Sequence, residues 1–436
     1  MHRREFFQGT ALTAAAAQRV AGANERVRLG LIGCGGRGRY VARLMQEAGG
    51  VEFAAVCDVY EANAARAREW AGPGARAYSD FRKLLEQKDV DAVLVATPDH
   101  WHAIPTVLAC QAGKDVYVEK PLAHNIKEGR AMVEAARRSG RIVQAGTQHR
   151  SAPHLAEAAR IVQSGELGEV RFVRVWNYTN MHPNGIGREP DSAPPEGLNW
   201  DMYCGPAPLA PFNRKRFLGT YRWFWDYSGG YITDFGTHRF DTVLQIMGAD
   251  APRAVAAAGG RFTLKDAGEV PDILQVTYEF PGFILSYEAS NLNAHGLGGR
   301  TPGMKYYNAR GAEDRPHGMA FYGTNGALFA DRIGFEIYPE RKPGASSEYR
   351  IERKFTNGAE PTPLHAKAFV ECVRSRKKPP ADVEDGHRAT IIAHLGNIAF
   401  KSGRRLRWDT AAETFPGDAD AARLLARPAR KPWDLI

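Results

Sequence analysis

The chain has 436 residues, of which 44% are hydrophobic and 25% charged, with a formal net charge of +9. That length exceeds one ordinary domain and fits two globular domains plus a short tail, and no run approaches the roughly 20 apolar residues that a membrane span requires. The basic residues are scattered apart from 374–378 and 404–407, which follow expected helices, and no interleaving of basic and aromatic side chains points to nucleic acid.

At the start, Arg3 and Arg4 precede Phe6, Phe7 and a small apolar run at 12–17, with small residues at 20–23. Paired arginines ahead of a weak apolar region resemble a twin-arginine export signal. Residues 1–24 are therefore expected to direct the protein to the periplasm or another exported location, and to leave it cytoplasmic if the signal does not act. Cys34, Cys57, Cys110, Cys204 and Cys372 lie far apart without a C-x-x-C, so neither a zinc ribbon nor a disulfide framework is expected. No His/Cys/Asp/Glu cluster has metal-ligand spacing, and no metal is assigned.

A β-rich run at 27–32 leads into Gly33-Cys34-Gly35-Gly36-Arg37-Gly38, followed by Tyr40, Val41, Leu44 and Met45 at helical spacing. This reads as strand, tight glycine turn and helix. Gly33 permits the turn, Gly35 admits a pyrophosphate close to the backbone, and Gly38 lets the helix pack on the strand. Free N–H groups and the helix dipole then hold the phosphates, with Gly36 and Arg37 in the same loop. A second strand at 51–57 ends in Asp58, where a carboxylate accepts from a ribose 2′-hydroxyl and repels a 2′-phosphate, so NAD is favoured over NADP. Buried strands at 92–96, 116–119 and 142–145 alternate with helical patterns at 104–112 and 126–139, which makes a parallel sheet of βαβ units. Ligands in such sheets lie at the carboxyl ends of the strands. Those ends carry Thr97-Pro98-Asp99-His100-Trp101-His102, Glu119-Lys120-Pro121 and Gly146-Thr147-Gln148-His149-Arg150.

These segments and the glycine loop resemble the glucose–fructose oxidoreductase and inositol dehydrogenase family, Gfo/Idh/MocA, from Val27 to about Asp409. Glu119-Lys120-Pro121 matches the family hallmark, Thr97-Pro98 with His102 its fourth-strand loop, and Gly229-Gly230 followed by Asp234, His238 and Asp241 its substrate-helix motif. The arginine pair, Gln148-His149-Arg150 and the 222–225 region look like an exported branch. The resemblance implies an α/β fold, with a Rossmann domain at 25–148 and a C-terminal α+β domain at 149–436. That second domain would hold a large, mostly antiparallel open sheet and a terminal helical arm. Strand-like runs at 170–178, 273–280 and 283–290 agree, the last two joined by Pro281-Gly282 as a hairpin. Relatives commonly form oligomers through the open sheet face, so a homodimer or homotetramer is expected. The stretch at 179–226, rich in Pro, Gly, Asn and Trp, is expected to wall the substrate pocket.

Asp234, His238 and Asp241 share a face of an expected helix at 232–247. The resemblance implies that Lys120, Asp234 and His238 form the catalytic group, with His238 as general base, Lys120 stabilising the oxyanion, and Asp234 binding a substrate hydroxyl or holding His238. The cofactor contacts it implies are Gly33, Gly35, Gly36, Arg37, Gly38, Asp58, Thr97, Pro98, His102, Glu119, Lys120 and Gln148. Candidate substrate contacts are Trp101, Arg150, Tyr178, Trp223, Trp225 and Asp241, with plain aromatic core packing as the alternative for the ring residues. The function implied is NAD-dependent oxidation of a CH–OH group in a sugar, cyclitol or glycoside, with the NAD tightly held. A redox-neutral glycoside-cleaving enzyme and a noncatalytic nucleotide-binding protein are the alternatives.

Overall fold

The structure is a computed structural model that describes residues 26–307, 314–344 and 347–434. The arginine pair and the apolar run of the expected export signal lie outside the described residues. The first sheet is wholly parallel: β1 (Val27–Ile32), β2 (Val51–Cys57), β3 (Arg76–Tyr78), β4 (Ala92–Val95), β5 (Asp115–Val118) and β6 (Val143–Ala145), in the order 3-2-1-4-5-6. β4 and β5 are buried along their whole length, as expected of strands covered on both faces. The order reverses beside β1, between β1 and β4, and this topological switch point opens a crevice at the strands' carboxyl ends.

Helices Ala103–Gln111 and Ile126–Ser139 cover one face. On the other face Leu29, Leu31 and Phe53 pack with Val41 and Met45 of helix Gly36–Glu47 and with Ala366, Phe369 and Val370 of helix Thr362–Ser375. The last helix comes from far outside the segment expected to make this domain. Arg374 adds hydrogen bonds to the Gly49 and Gly50 carbonyls, at 3.1 and 2.7 Å.

The second sheet holds β7 (Phe172–Asn180), β8 (Ala254–Gly260), β9 (Ile273–Phe280), β10 (Phe283–Ser290), β11 (Leu292–Asn293), β12 (His317–Gly323), β13 (Gly326–Asp331), β14 (Gly334–Pro339), β15 (Lys354–Asn357) and β16 (Leu406–Arg407). Its order is 15-14-13-12-7-10-9-8-16, with β11 added beside β7. Every pairing is antiparallel except β7 with β10. β9 alternates buried and exposed positions, which is the period-2 signature of a sheet with one covered face. Gly282 takes a φ of +93° at the β9–β10 turn, where a side chain would be strained. Helices Pro153–Gln163, Thr237–Met247 and Val383–Ser402 cover one face, joining Leu155, Phe240 and Leu395 to Val173, Val276 and Tyr287. The opposite face carries Tyr322, Phe172 and Ile284 in register across β12, β7 and β10.

Phe369 is fully buried in the first domain's core. Phe369→Ala is expected to lower the unfolding free energy by about 3–5 kcal/mol. Urea denaturation followed by tryptophan fluorescence checks this, and a change under about 1 kcal/mol, the size of an ordinary surface effect, would mean that the helix is not part of that core.

Candidate active site

A cavity of about 540 Å³ runs from the glycine turn after β1, past the carboxyl ends of β2, β4, β5 and β6, to the second sheet. Its near end fits a dinucleotide. Gly33 has a φ of +90°, and a Cβ there would sit 2.6 Å from the Ala96–Thr97 backbone. A Cβ on Gly38 would fall 2.2 Å from the Gly33 carbonyl oxygen, so helix and strand meet closely there. Gly35 and Gly36 face open space, the backbone exposure that a pyrophosphate needs. Asp58 lines the same end, and its carboxylate accepts the N–H groups of Cys34 (2.8 Å) and Tyr60 (2.9 Å). Burial pushes its pKa up, against those hydrogen bonds. Arg37 donates to Glu119 at 2.8 Å. His102 bridges Pro121 O (2.7 Å) and Thr97 O (2.9 Å), tying the loops after β4 and β5 together. With the Gln148 amide nitrogen toward Gly146 O (2.6 Å), its oxygen accepts from Arg332 at 2.7 Å.

Farther in, three segments converge on one carboxylate. Lys120, just past β5, donates to a carboxylate oxygen of Asp234 and, at 2.9 Å, to its backbone carbonyl. Arg222 meets the other carboxylate oxygen at 3.1 Å. Burial alone would raise the Asp234 pKa, but Arg222 and then Lys120 more than offset it and hold the group well below the usual carboxylate range. Asp234 thus holds Lys120 and Arg222, and it forms no hydrogen bond to His238. The expected continuous helix also differs: Ile232–Gly236 is a wider π-turn and the α-helix begins at Thr237, a local widening common at functional sites.

His238 lines the cavity with its ring stacked on His149 at 5.2 Å. Burial, then the Lys120 ammonium, holds its pKa well below the ordinary imidazole range, and His149 is lowered by burial and then by Arg332. Both rings are therefore neutral near pH 7. His149 meets the Thr242 hydroxyl at 3.0 Å, whereas the His238 Nδ1 is buried without a partner.

Of the expected residues, Gly33, Gly35, Gly36, Arg37, Asp58, Thr97, Pro98, Trp101, His102, Glu119, Lys120, Gln148, Asp234 and His238 line the cavity. Five expected substrate contacts do not. Asp241 is fully buried and one of its carboxylate oxygens accepts from Arg150 at 2.7 Å, while Arg150 also faces Asp385 at 3.5 Å, so both are held away from the cavity. Tyr178 donates to Glu288 at 2.5 Å on the open sheet face. Trp223 packs on Tyr231, and Trp225 lies under the Lys401 ammonium, 3.9 Å from the ring centre. The 179–226 stretch does supply a wall, through Met202, Tyr203, Phe217, Leu218, Tyr221 and Arg222. Asp99 anchors it, accepting from the Tyr221 hydroxyl (2.9 Å) and from Ser228. His149, Arg222, Arg239, His317 and Arg332 line the cavity without having been expected there. His149 and Arg222 sat inside motifs already singled out, and Arg239 adjoins His238. His317 and Arg332 come from β12 and the β13–β14 turn, where no motif marks them.

Residues 27–147 match an oxidoreductase family described by its NAD-binding Rossmann fold, and residues 154–293 and 337–435 match that family's C-terminal α/β domain. An inositol 2-dehydrogenase of Salmonella paratyphi B is 32% identical over 154 residues, covering 35% of this chain and 46% of its own length. The first relatives are thus matched over about half their length. A scyllo-inositol 2-dehydrogenase (NAD(+)) of Bacillus subtilis is 25% identical over 87% of this chain and 94% of its own. Among solved structures, a levoglucosan dehydrogenase in complex with NADH and levoglucosan shares the fold, with a TM-score of 0.64 at 18% identity over 88% of this chain and 99% of that one. The chain belongs to the Gfo/Idh/MocA oxidoreductase family.

Proposed function

We propose that this protein oxidises a CH–OH group of a sugar, cyclitol or glycoside. The observation that supports this is the meeting of Lys120, Asp234 and His238 at one end of a cavity whose other end is the glycine turn. The inositol and levoglucosan dehydrogenases among the relatives point to the same class of substrate. A bound nicotinamide supplies the hydride acceptor. His238, neutral at working pH, takes the hydroxyl proton. Lys120 donates to the oxygen as negative charge builds on it, so the ammonium that adds to burial in keeping His238 neutral also stabilises the alkoxide. Asp234 orients Lys120 together with Arg222.

Lys120→Met and His238→Ala are expected to lower kcat by about 100-fold or more, with fold and nucleotide binding kept. Near-normal turnover by either variant on a good substrate removes that residue from the mechanism. The pH dependence has a definite sign. His238 must be unprotonated, and its pKa is held well below the ordinary value. The acid limb of kcat/KM should therefore fall below about pH 6.5. A limb centred above that value contradicts the base assignment.

The Asp58 carboxylate favours NAD over NADP, because a 2′-phosphate would meet it. If the protein is exported, as its first residues lead us to propose, it works without a pool of free nucleotide, and a retained NAD with a redox-neutral cycle follows. The stacked, neutral His149 favours this second reading: oxidation acidifies the neighbouring C–H of the substrate, and two imidazoles offer an acceptor for each proton. Protein purified without added nucleotide should release NAD on denaturation and form product in excess over enzyme. Asp58→Ala should narrow the preference for NAD. Dependence on stoichiometric external NAD, with NADH released, opposes the retained cofactor, and tighter binding of NADP by the native protein opposes the role of Asp58.

Copies of the chain are proposed to associate through the open sheet face, where Phe172 and Ile284 are each 39% exposed side by side. Phe172→Glu should shift sedimentation toward the monomer, and a native protein that sediments as a monomer rules the association out.

A further inference from the structure

Five cations line the cavity: Arg37, Lys120, Arg222, Arg239 and Arg332. Four have carboxylate partners. Arg37 pairs with Glu119, Lys120 and Arg222 with Asp234, and Arg332 with Glu360. Among the described residues, no carboxylate pairs with Arg239. Its side chain is buried, only 6% of the residue being exposed. One of its five N–H donors is used, to the Phe235 carbonyl oxygen at 3.1 Å. The described surroundings offer this charge no carboxylate in direct contact. Arg239 lies toward the Phe235 ring, which stacks on His317 at 6.0 Å, and burial followed by the field of Arg239 pushes His317 down to about 3, so that this ring is neutral. Asp331 and the Tyr287 and Tyr307 phenols act on Arg239 from a distance, and Arg332 repels it. The Asp331 carboxylate accepts the N–H groups of Tyr307 (3.0 Å) and Ile333 (2.8 Å) and makes no ion pair with Arg239, which it stabilises only through the field of its charge. Burial lowers even this guanidinium, to about 10.

A buried cation without a partner is costly, and the cost falls away when an anion enters with its own charge. We propose that Arg239 is the anchor of an anion subsite, and that the natural substrate is a sugar, cyclitol or glycoside bearing a carboxylate, sulfate or phosphate. This rests on the reading of the cavity as a sugar-oxidising site and narrows its substrate class. The planar fork of unused donors suits two parallel hydrogen bonds to one oxyanion. Arg239 follows His238 directly in the chain, so the same helix start presents the base and the anchor. Phe235 and His317 give that end an apolar wall against which a ring can rest.

The test compares matched ligands: glucuronate with glucose, galacturonate with galactose, gluconate with glucitol, and glucose 6-sulfate and 6-phosphate with glucose. Calorimetric titration of the NADH-loaded protein measures binding without turnover, and steady-state assays follow for every member that reduces NAD. The native protein should bind at least one anionic member about 10- to 100-fold more tightly than its neutral partner, the range expected for a desolvated charge-assisted pair. Whether the carboxylates or the sulfate and phosphate esters show it identifies the anion. Arg239→Gln should weaken the anionic member far more than the neutral one and so remove that preference through KM, while Arg239→Lys keeps part of it. Equal binding of acidic and neutral members by the native protein overturns the proposal, whether or not the variants fold. An equal loss on both members in Arg239→Gln does the same. Turnover of neutral sugars without any anion preference defeats this inference alone. Anion binding without oxidation of any member defeats the oxidoreductase reading and leaves the subsite standing.

Discussion

The active end of the molecule depends on one carboxylate held between two cations. Asp234 stands at the widened start of the second domain's helix, Lys120 at the end of a strand in the first, and Arg222 in the loop that closes over both. Removing Asp234 leaves two cations without their partner in a poorly solvated place, so this one carboxylate fixes both. The effect is positional. Lys120 reaches both the carboxylate and the backbone carbonyl of Asp234, which leaves the ammonium few orientations. That start also sets where His238 and Arg239 emerge.

The same cations govern the histidines. His238 and His149 stack in a cavity rich in Arg and Lys, and burial acts with those charges in keeping both rings neutral. A protonated imidazole here would add another positive charge to an already cationic wall. A neutral one is a weaker base than free histidine but is always ready to accept, and Lys120 lies close enough to influence it. In the mechanism we propose, base strength is given up for readiness, and the alkoxide is stabilised by the ammonium instead.

The first domain was legible because its signals are local. The glycine turn, Asp58 and the strand ends at 97–102 and 119–121 are contiguous motifs, and a parallel sheet places its strand ends at one crevice whatever the sequence does elsewhere. The second sheet was only partly legible. β7, β9 and β10 carry long β-rich runs, whereas β12 to β15 are short, interrupted by glycines and charges, and join the sheet as a local meander whose one long-range pairing is β12 on β7. Side-chain direction was the weakest reading. Arg150 and Asp241 both belong to promising motifs, yet they pair with each other away from the cavity, and Tyr178, Trp223 and Trp225 pack or pair elsewhere. Conversely, His317 and Arg332 reach the cavity only because the sheet folds their strands over it.

The closing loop shows how a chain that is poor in regular structure is made into a wall. Trp200, Tyr203, Phe212, Phe217, Tyr221 and Phe224 form a small apolar core of their own. That core would be a loose appendage without further ties. Asp99 binds it to the loop after β4 through Tyr221 and Ser228. His100 accepts this role as well, meeting the Tyr203 carbonyl at 2.9 Å, and its ring is held neutral, at about 3, by burial and by Arg427. From the other side Arg430 binds Gly205 O at 3.0 Å and the Asp201 carboxylate at 2.8 Å, while Trp433 packs on Trp101 at 4.8 Å. Asp99, His100, Arg430 and Trp433 therefore pin the wall without lining the cavity themselves. Arg222 leaves this wall to meet Asp234, so the order of the loop reaches Lys120 through the carboxylate that both cations share.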